Sequence, residues 1–334
     1  MTRLVTSEMK NLASAAEIIN NGGLVAFPTE TVYGLGADGL NENAVKKIYE
    51  AKGRPSDNPL ILHIQDISEV EPLTIEINST AKKLMDTFWP GPMTLVFKKS
   101  AIVPPVISGG LDTVAIRLPE NKVARELIRL SKTPIAAPSA NTSGKPSPTK
   151  ASHVFEDLNG RIDMIIDGGS CDIGLESTVI DVTTLSPVIL RPGGVTFEDI
   201  YKLFPDVSYD KHLTLDTITD TVKPRSPGMK YKHYAPEGEL FILEGNIEKV
   251  QKYILENSDE NTAVFTFDGI DFDLPYVRSL GTSISGSKLF FDLLRECDSN
   301  GITKIFALMP DKKGVGFALY NRMFKAAGGR IIKL

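Results

Sequence analysis

Lys52-Gly53-Arg54-Pro55-Ser56-Asp57-Asn58-Pro59 sets two cations and a carboxamide in a turn governed by glycine and proline. Ahead of it, AVKKIYEA (44–51) carries Ala44, Val45, Ile48 and Ala51 at helical spacing. Behind it, LILHIQ (60–65) has the length and apolarity of a short strand. Gly53 therefore stands where a left-handed residue ends a helix. Pro55 forbids continuation and drives Arg54 into an extended conformation, which throws its guanidinium clear of the helix. We read the turn as one that handles an anion. The same lysine and arginine also fit a helix C-terminus, where cations meet the last carbonyls and the negative end of the dipole.

Upstream, NLASAAEIINN (11–21) repeats Leu12, Ala15, Ala16 and Ile19 on one helical face and stops at Gly22-Gly23. The strand LVAF (24–27) leads into PTETVYGLGAD (28–38). If that segment is extended, the hydroxyls of Thr29, Thr31 and Tyr33 share one face. Downstream, NSTAKKLMDTFW (78–89) is helical and is halted by Pro90-Gly91-Pro92 before the strand MTLVFKK. In the strand beginning VAIRLP at Val114, the side chains Val114, Ile116 and Leu118 face one way and Arg117 the other. An arginine among apolar neighbours is expensive unless it meets an anion or a carboxylate, or unless that face is solvated. A helix at 121–132 and the strand PIAA precede a run of small polar residues, PSANTSGKPSPTK, which contains Ser139, Asn141 and Ser147. STVIDV (177–182) and PVILRPGG (187–194) complete this half, with Ser177 opening one strand and Arg191 closing the other. Polar residues at strand ends are where ligands collect in open α/β sheets. Short connections between some strands predict a mixed sheet.

The 334 residues are long for one core and predict two domains. A formal net charge of −5 gives no general attraction to nucleic acid or anionic membrane, so any phosphate site has to be local. No apolar run approaches the roughly 18 residues that span a bilayer, and MTRLVTSEMKNLASAAE has no signal-peptide core, so a cytoplasmic protein is expected. Cys171, Cys297 and the four histidines His63, His153, His212 and His233 are scattered, which supports neither a disulfide framework nor a zinc site.

Periodicity is lost from about 205 to 237, where SPGMKYKHYAP (226–236) gathers Lys230, Lys232 and His233 with Tyr231 and Tyr234, behind Lys223 and Arg225. Aromatics are unusual in a plain tether, and proline at both ends with Gly228 as a hinge makes the segment a candidate lid. From ELFILE onward, strands and helices alternate, which predicts a small, parallel, Rossmann-like domain. Gly314-Val315-Gly316 is a fragment of a dinucleotide fingerprint, lacking the third glycine and the acidic residue, and reads as structural.

PTETVYGLGAD, KGRPSDNPL, the Arg117 strand, PSAN, LESTVID and RPGG, in this order, resemble the YrdC-like domain of the threonylcarbamoyl-AMP synthase family. The basic aromatic linker and the small domain after it resemble that family's two-domain branch. The resemblance implies an α/β protein: a YrdC-like twisted mixed sheet with helices and a concave site (1–204), a linker or lid (205–237), and a small Rossmann-like parallel domain (238–334). It implies that L-threonine, bicarbonate and ATP are joined into threonylcarbamoyl-AMP with release of pyrophosphate. The product serves threonylcarbamoyladenosine formation beside the anticodon of tRNA. Position by position, Thr31, His63, Arg117, Ala137 and Ser177 match the family's threonine contacts. Arg54, Asn58, Thr113, Ser139, Ser147, Arg191 and Tyr234 match its nucleotide contacts, with Lys52 near the phosphates and bicarbonate. Lys52 and Arg54 are the expected catalytic cations. Mg2+ is expected to arrive on the ATP phosphates, with no protein ligand. The expected partners are ATP, L-threonine, bicarbonate and the downstream tRNA threonylcarbamoyl-transfer machinery, with no membrane.

Two other classes stay open. An RNA-binding module is one, although the net charge and the lack of RNA-recognition motifs weigh against it, and direct RNA binding is left undecided. Carbamoyl-transfer enzymes of the hydrogenase-maturation type contain a related domain, but two cysteines cannot supply their zinc fingers.

Overall fold

The computed structural model describes residues 1–214 and 234–334. The first unit is an eleven-stranded sheet of β1 (Arg3–Thr6), β2 (Val25–Phe27), β3 (Gly34–Asp38), β4 (Ile61–His63), β5 (Met93–Lys98), β6 (Thr113–Arg117), β7 (Ile135–Ala136), β8 (Met164–Asp167), β9 (Thr178–Asp181), β10 (Val188–Arg191) and β11 (Ser208–Tyr209), in the order β1-β8-β2-β3-β7-β4-β6-β5-β9-β10-β11. Parallel and antiparallel pairs alternate irregularly along it, so the sheet is mixed. The last strand, at 208–209, lies beyond residue 204.

Alternation along the strands builds two faces. Leu24, Ala26, Leu35, Leu62, Leu95, Val114 and Ile116 enter the main core, with the helix Glu42–Lys52 contributing Ala44, Val45, Ile48 and Ala51. On the opposite face, Val25 and Phe27 pack under the helices Met9–Asn20 and Lys122–Ser131. Farther along that face Ile61, Val96, Ala115, Val179 and Leu190 form a small cluster. Arg117 pairs with His63 across β6 and β4, and Ala115 with Ile61, so the polar pair continues the row of this small cluster. Val114, Ile116 and Leu118 are buried on the other side.

The second unit is a parallel five-stranded sheet of β12 (Glu239–Glu244), β13 (Thr262–Thr266), β14 (Val277–Ser279), β15 (Lys304–Leu308) and β16 (Ile331–Lys333), ordered β14-β13-β15-β12-β16. Leu243, Val264, Phe306 and Leu308 face the helix Ile247–Asn257. Leu240, Ile242, Ala263, Phe265 and Ala307 face the helices Ser283–Ser299 and Val315–Ala326. Gly314 precedes the last of these helices, and its N–H donates to the Glu198 carboxylate of the first unit at 3.3 Å.

The two units share a seam. Val32 and Leu175 of the first belong to the core of the second, and Tyr209 packs on Phe317 with ring centroids 4.9 Å apart. Arg295 reaches from the second unit to Asp157 (2.8 and 3.2 Å) and to the Pro146 carbonyl (2.6 Å). Among the described residues no helix is long and apolar enough to cross a membrane.

Two glycines make the site's backbone possible. Gly53 caps its helix at φ 62° with nothing within 4 Å of a would-be Cβ. Gly193 has no such room: a Cβ would stand 2.3 Å from the Thr178 nitrogen and 2.6 Å from the Glu176 carbonyl oxygen. Gly53→Ala should therefore cost about 1 kcal/mol, from left-handed strain alone. Gly193→Ala should cost about 3 kcal/mol, because backbone has to move. Denaturant unfolding of the two variants checks this, and equal costs would contradict the close approach.

Candidate functional site

Lys52 ends its helix without capping it. Gly53 and Arg54 supply the N–H groups that close the last turn, on Glu50 and Tyr49 carbonyls. The Lys52 ammonium instead crosses to the PSAN loop and donates to the Ser139 and Asn141 carbonyls, both at 2.5 Å. Ser139 in turn donates to the Asn141 side chain at 2.6 Å, and the Ser143 N–H returns to the Lys52 carbonyl. Helix end and loop are thus one hydrogen-bonded body. Lys52 is 1% exposed, and burial, followed by the Arg54 charge, holds it well below the ordinary lysine range. Arg54 makes one long contact, 3.4 Å to the Pro59 carbonyl, and its Nε is buried without a hydrogen-bond partner. Burial comes first in pulling its affinity for a proton down. Both polar atoms of the Asn58 carboxamide are likewise buried and unpartnered. Orphans of this kind cost about 1–3 kcal/mol each and are where a ligand finds unspent donors and acceptors.

The segment after Phe27 corrects the expectation of an extended run with three hydroxyls on one face. Residues 28–33 form a bend, and the strand begins only at Gly34. Thr29 closes the bend: its hydroxyl donates to the Val32 carbonyl at 2.6 Å and accepts from the Thr31 and Val32 N–H groups. Thr29 and Thr31 hydroxyls meet at 2.8 Å, while the Tyr33 hydroxyl leaves in another direction to donate to the Gly169 carbonyl. The physical reason is local. A threonine side chain that bonds its own backbone two and three residues on stabilises a turn in competition with the ladder.

The same bend presents Glu30, the carboxylate that Arg117 required. The guanidinium donates to Glu30 at 2.6 Å, to the Thr31 hydroxyl at 2.9 Å and to the Gly91 carbonyl at 3.4 Å. Of an arginine's five N–H groups, three are engaged and two remain. Burial raises the Glu30 carboxyl, but Arg117 outweighs it and holds it below the usual range. His63 sits beside Arg117, its Nδ1 3.3 Å from the Ile61 carbonyl.

The far wall comes from β5, β9, β10 and the seam. Thr94 and Ser177 hydroxyls meet at 2.7 Å, and Arg191 donates to the Ser177 hydroxyl (3.1 Å) and carbonyl (3.0 Å). Burial brings Arg191 down to about 10. Glu176, one residue earlier, accepts from Ser147 at 2.6 Å and from Arg322 of the second unit at 2.8 Å. Burial would raise that carboxyl, but Arg322 and Arg191 bring it to about 2. Tyr234, at φ 66°, packs on Phe291, and the next N–H, of Ala235, donates to the Gly144 carbonyl. Residues 226–233 of the expected lid, with Lys223 and Arg225, lie outside the described residues.

These walls line one cavity that is partly open to solvent. Lys52, Arg54, Thr31, His63, Arg117, Ala137, Ser139, Ser177, Arg191 and Tyr234 line it. The other three positions do not: Ser147 lies behind Glu176, Asn58 beneath the Arg54 turn, and Thr113 at the start of β6 opposite Lys98. Sequence reading did not single out Glu30, Glu176 or Arg322. A signal existed for the first two, since each stands inside a quoted motif, and a buried arginine demands a carboxylate. Nothing local marks Arg322, one polar residue on the last helix. Four cations line the cavity, with one arginine-bound carboxylate, Glu176, on its wall and another, Glu30, behind it, which suits an anionic ligand.

A family model described as telomere recombination matches residues 17–193, and one described as the C-terminal domain of threonylcarbamoyl-AMP synthase matches residues 195–328. The threonylcarbamoyl-AMP synthase of Pyrococcus abyssi is 50% identical over 325 residues, spanning 96% of this chain and 95% of that one. The synthase of Bacillus subtilis is 47% identical over 348 aligned positions, 98% and 97% of the two chains. The crystal structure of P. abyssi Sua5 complexed with L-threonine superposes with a TM-score of 0.93 at 48% identity, covering 100% of this chain and 99% of that one.

His63 gives the cavity a pH signature. Burial first, and then the Arg117 charge, bring it from 6.5 down to about 3. The unfolded chain takes up that proton near pH 6.5 and the native protein refuses it. Stability is therefore full above 6.5 and falls as the pH drops toward 3, by up to about 1.4 kcal/mol per pH unit. Glu30 and Glu176, held low, lose their contributions only below about 4.5, the ordinary glutamate value. Between pH 6.5 and 5, His63→Gln should flatten the fall in unfolding free energy, read from denaturant midpoints across that range. A slope identical to wild type would show that His63 is not held neutral.

Proposed function

The chain belongs to the threonylcarbamoyl-AMP synthase family in its two-domain form, and on that premise we propose that its cavity joins L-threonine, bicarbonate and ATP into threonylcarbamoyl-AMP. The observation that carries the reading is the convergence of Lys52, Arg54, Arg117 and Arg191 with the hydroxyls of Thr31 and Ser177 in one cavity.

The threonine carboxylate is assigned to the two free N–H groups of Arg117, because planar paired donors orient as well as attract. Thr31 and the neutral His63 read the threonine hydroxyl, and Ala137 and Ser177 bound the same subsite. The amine nitrogen adds to the carbon of bicarbonate, a C–N bond forms, water leaves, and a carbamate results. A carbamate oxygen then attacks the α-phosphorus of ATP, and the bond to the β-phosphate oxygen breaks to release pyrophosphate. No protein nucleophile takes part. Lys52 and Arg54 work by position and charge on phosphoryl oxygens whose negative charge grows in that step. Ser139, Arg191 and Tyr234 are assigned to the nucleotide, and Asn58, Thr113 and Ser147, the other expected contacts, stand outside the cavity lining.

Magnesium enters as part of the Mg–ATP substrate, where it neutralises phosphate charge. The cavity's carboxylates, Glu30 and Glu176, are each spent on an arginine, and among the described residues no cluster of three His, Cys, Asp or Glu offers a metal site. The first unit, which β11 extends past residue 204 to Tyr209, is assigned as the catalytic unit, with the linker or lid after it and the small domain at 238–334. The cytoplasm is where the product meets the tRNA-modifying machinery.

Incubation with Mg–ATP, L-threonine and labelled bicarbonate should yield pyrophosphate and a labile labelled adenylate. ATP consumption that proceeds equally without threonine would sink the assignment. Arg54→Ala should lose about 2 to 4 kcal/mol of transition-state stabilisation with folding intact. A variant with undiminished turnover and a lowered melting temperature would reduce Arg54 to a helix cap. A site that hydrogen-bonds the substrate hydroxyl should also reject 2-aminobutyrate strongly in kcat/KM.

A further inference from the structure

Arg295 stands on the helix Ser283–Ser299 of the second unit and is buried against the first. Its terminal nitrogens grip both oxygens of Asp157, Nη1 on Oδ1 at 3.2 Å and Nη2 on Oδ2 at 2.8 Å, and Nη2 also donates to the Pro146 carbonyl at 2.6 Å. Glu156 lies farther off, at 3.8 Å, and the buried Nε makes no hydrogen bond. Asp157, on the helix Ala151–Leu158, passes the grip on. Its Oδ2 accepts from the Thr142 N–H at 3.1 Å, and its carbonyl accepts from the Thr142 hydroxyl at 3.2 Å. The loop held in this way is the one that receives Lys52. Its start is tied to β3, where the Leu35 N–H donates to the Pro138 carbonyl and the Ala140 N–H to the Tyr33 carbonyl, and its end is tied by the Tyr33 N–H on the Pro148 carbonyl. Residues 141–146 stand away from the sheet. There Asp157 holds Thr142 and Arg295 holds Pro146, with the Ala235 N–H on the Gly144 carbonyl between them.

The Asn141 carboxamide connects that brace to Lys52. Its Nδ2 donates to the Thr142 carbonyl at 2.8 Å and to the Lys145 carbonyl at 2.9 Å, which turns Oδ1 toward the Ser139 hydroxyl at 2.6 Å and the Lys52 ammonium at 3.4 Å. An ammonium has three protons to give. Two of those on Lys52 go to the Ser139 and Asn141 carbonyls at 2.5 Å, so the place of Nζ is set by the loop rather than by its own helix. The third contact, to Asn141 Oδ1, is long enough to be surrendered to a phosphoryl oxygen. Arg295 does not line the cavity, so it acts at one remove from the substrates. We propose that Arg295 is a positioning residue for the step at the α-phosphorus: from the second unit it fixes Asp157 and the loop 141–146, and through Asn141 it fixes where the Lys52 ammonium stands. This rests on the reading of Lys52 as a cation that acts on phosphoryl oxygens, and it gives the second unit a part in a reaction whose cations all come from the first. The fork matters as well as the charge. A planar paired contact holds the Asp157 carboxylate in one orientation, with Oδ2 facing the Thr142 N–H.

The test uses the full chain and follows threonine-dependent pyrophosphate release, L-threonine binding by calorimetry and amide exchange by NMR. A small misplacement of a positioned group is costly, so Arg295→Met should lower kcat about tenfold or more. Threonine Kd should stay within about twofold, because Arg117 is held by Glu30, Thr31 and Gly91 instead of this loop. Arg295→Lys keeps the charge without the fork and should recover part of the loss. Exchange at Ser143, whose N–H donates to the Lys52 carbonyl, should quicken about tenfold in Arg295→Met, while Ala140, held on Tyr33, keeps its wild-type rate. Asp292→Ala, one turn earlier on the same helix, removes the rim contacts to Lys150 and His153 and should leave kcat within about twofold. Should Arg295→Met fail to fold, Arg295→Lys carries the same comparison, with kcat lowered and Ser143 exchange quickened. Wild-type kcat in the Arg295 variants with only a lowered melting temperature overturns the proposal. Equal loss of turnover and threonine affinity, an equal fall in Asp292→Ala, or unchanged exchange at Ser143 overturns it as well. The synthase reading is judged apart from this: it fails if wild type releases no threonine-dependent pyrophosphate, while the exchange rates still decide whether Arg295 holds the loop that places Lys52.

Discussion

A charge removed from water has to find its counter-group in the chain, and that requirement shapes the cavity more than any other. Lys52 takes the carbonyls of Ser139 and Asn141, Arg117 takes Glu30, and Glu176 takes Arg322, with almost no solvent at any of them. Removing one partner of such a pair typically costs about 3–5 kcal/mol, because the other is left buried and bare. Each pairing joins segments far apart in sequence: a helix end to a loop, a bend to a strand, one unit to the other. The backbone elements are ordinary. It is the pairing of charges that fixes which of their polar ends face one another.

The seam between the units follows the same rule with wetter chemistry at its rim. Arg295 is buried on Asp157 and the Pro146 carbonyl, and Asp157 also accepts from the Thr142 N–H, so the second unit braces the loop that receives Lys52. Farther out, Asp292 takes His153 and the partly exposed Lys150, and those two contacts hold its carboxyl down at about 2. The rim pairs contribute little individually. The buried ones, with Val32 and Leu175 inserted into the second core, tie the two units together.

Lys325 shows how crowded with cations this region is. Burial, and after it Arg322 and Arg191, bring it down to about 7. The charge of Glu176 opposes that effect.

Much of the fold was legible in the sequence, because its signals are local. Ala44, Val45, Ile48 and Ala51 on one helical face, Gly53 in the left-handed cap and Val114, Ile116 and Leu118 opposite Arg117 all follow from period and conformational freedom. The second unit's alternation gave its parallel sheet for the same reason. Signals failed where they were weak or were overridden by neighbours. β1 is exposed at a sheet edge and shows no alternation, and β8 and β14 are too short to declare themselves. Thr29 turned an apparent strand into a bend through its own hydroxyl. The motifs brought most of the cavity's lining residues forward, since a small polar loop or a lone strand arginine is conspicuous by cost. Which carboxylate answers Arg117, that Lys52 grips the PSAN loop rather than its own helix, and that Arg322 from the last helix completes Glu176 were decided only in three dimensions. Pairings across 87, 89 and 146 residues leave no local trace, because they are set by packing and by the exclusion of water rather than by any property of the neighbouring chain.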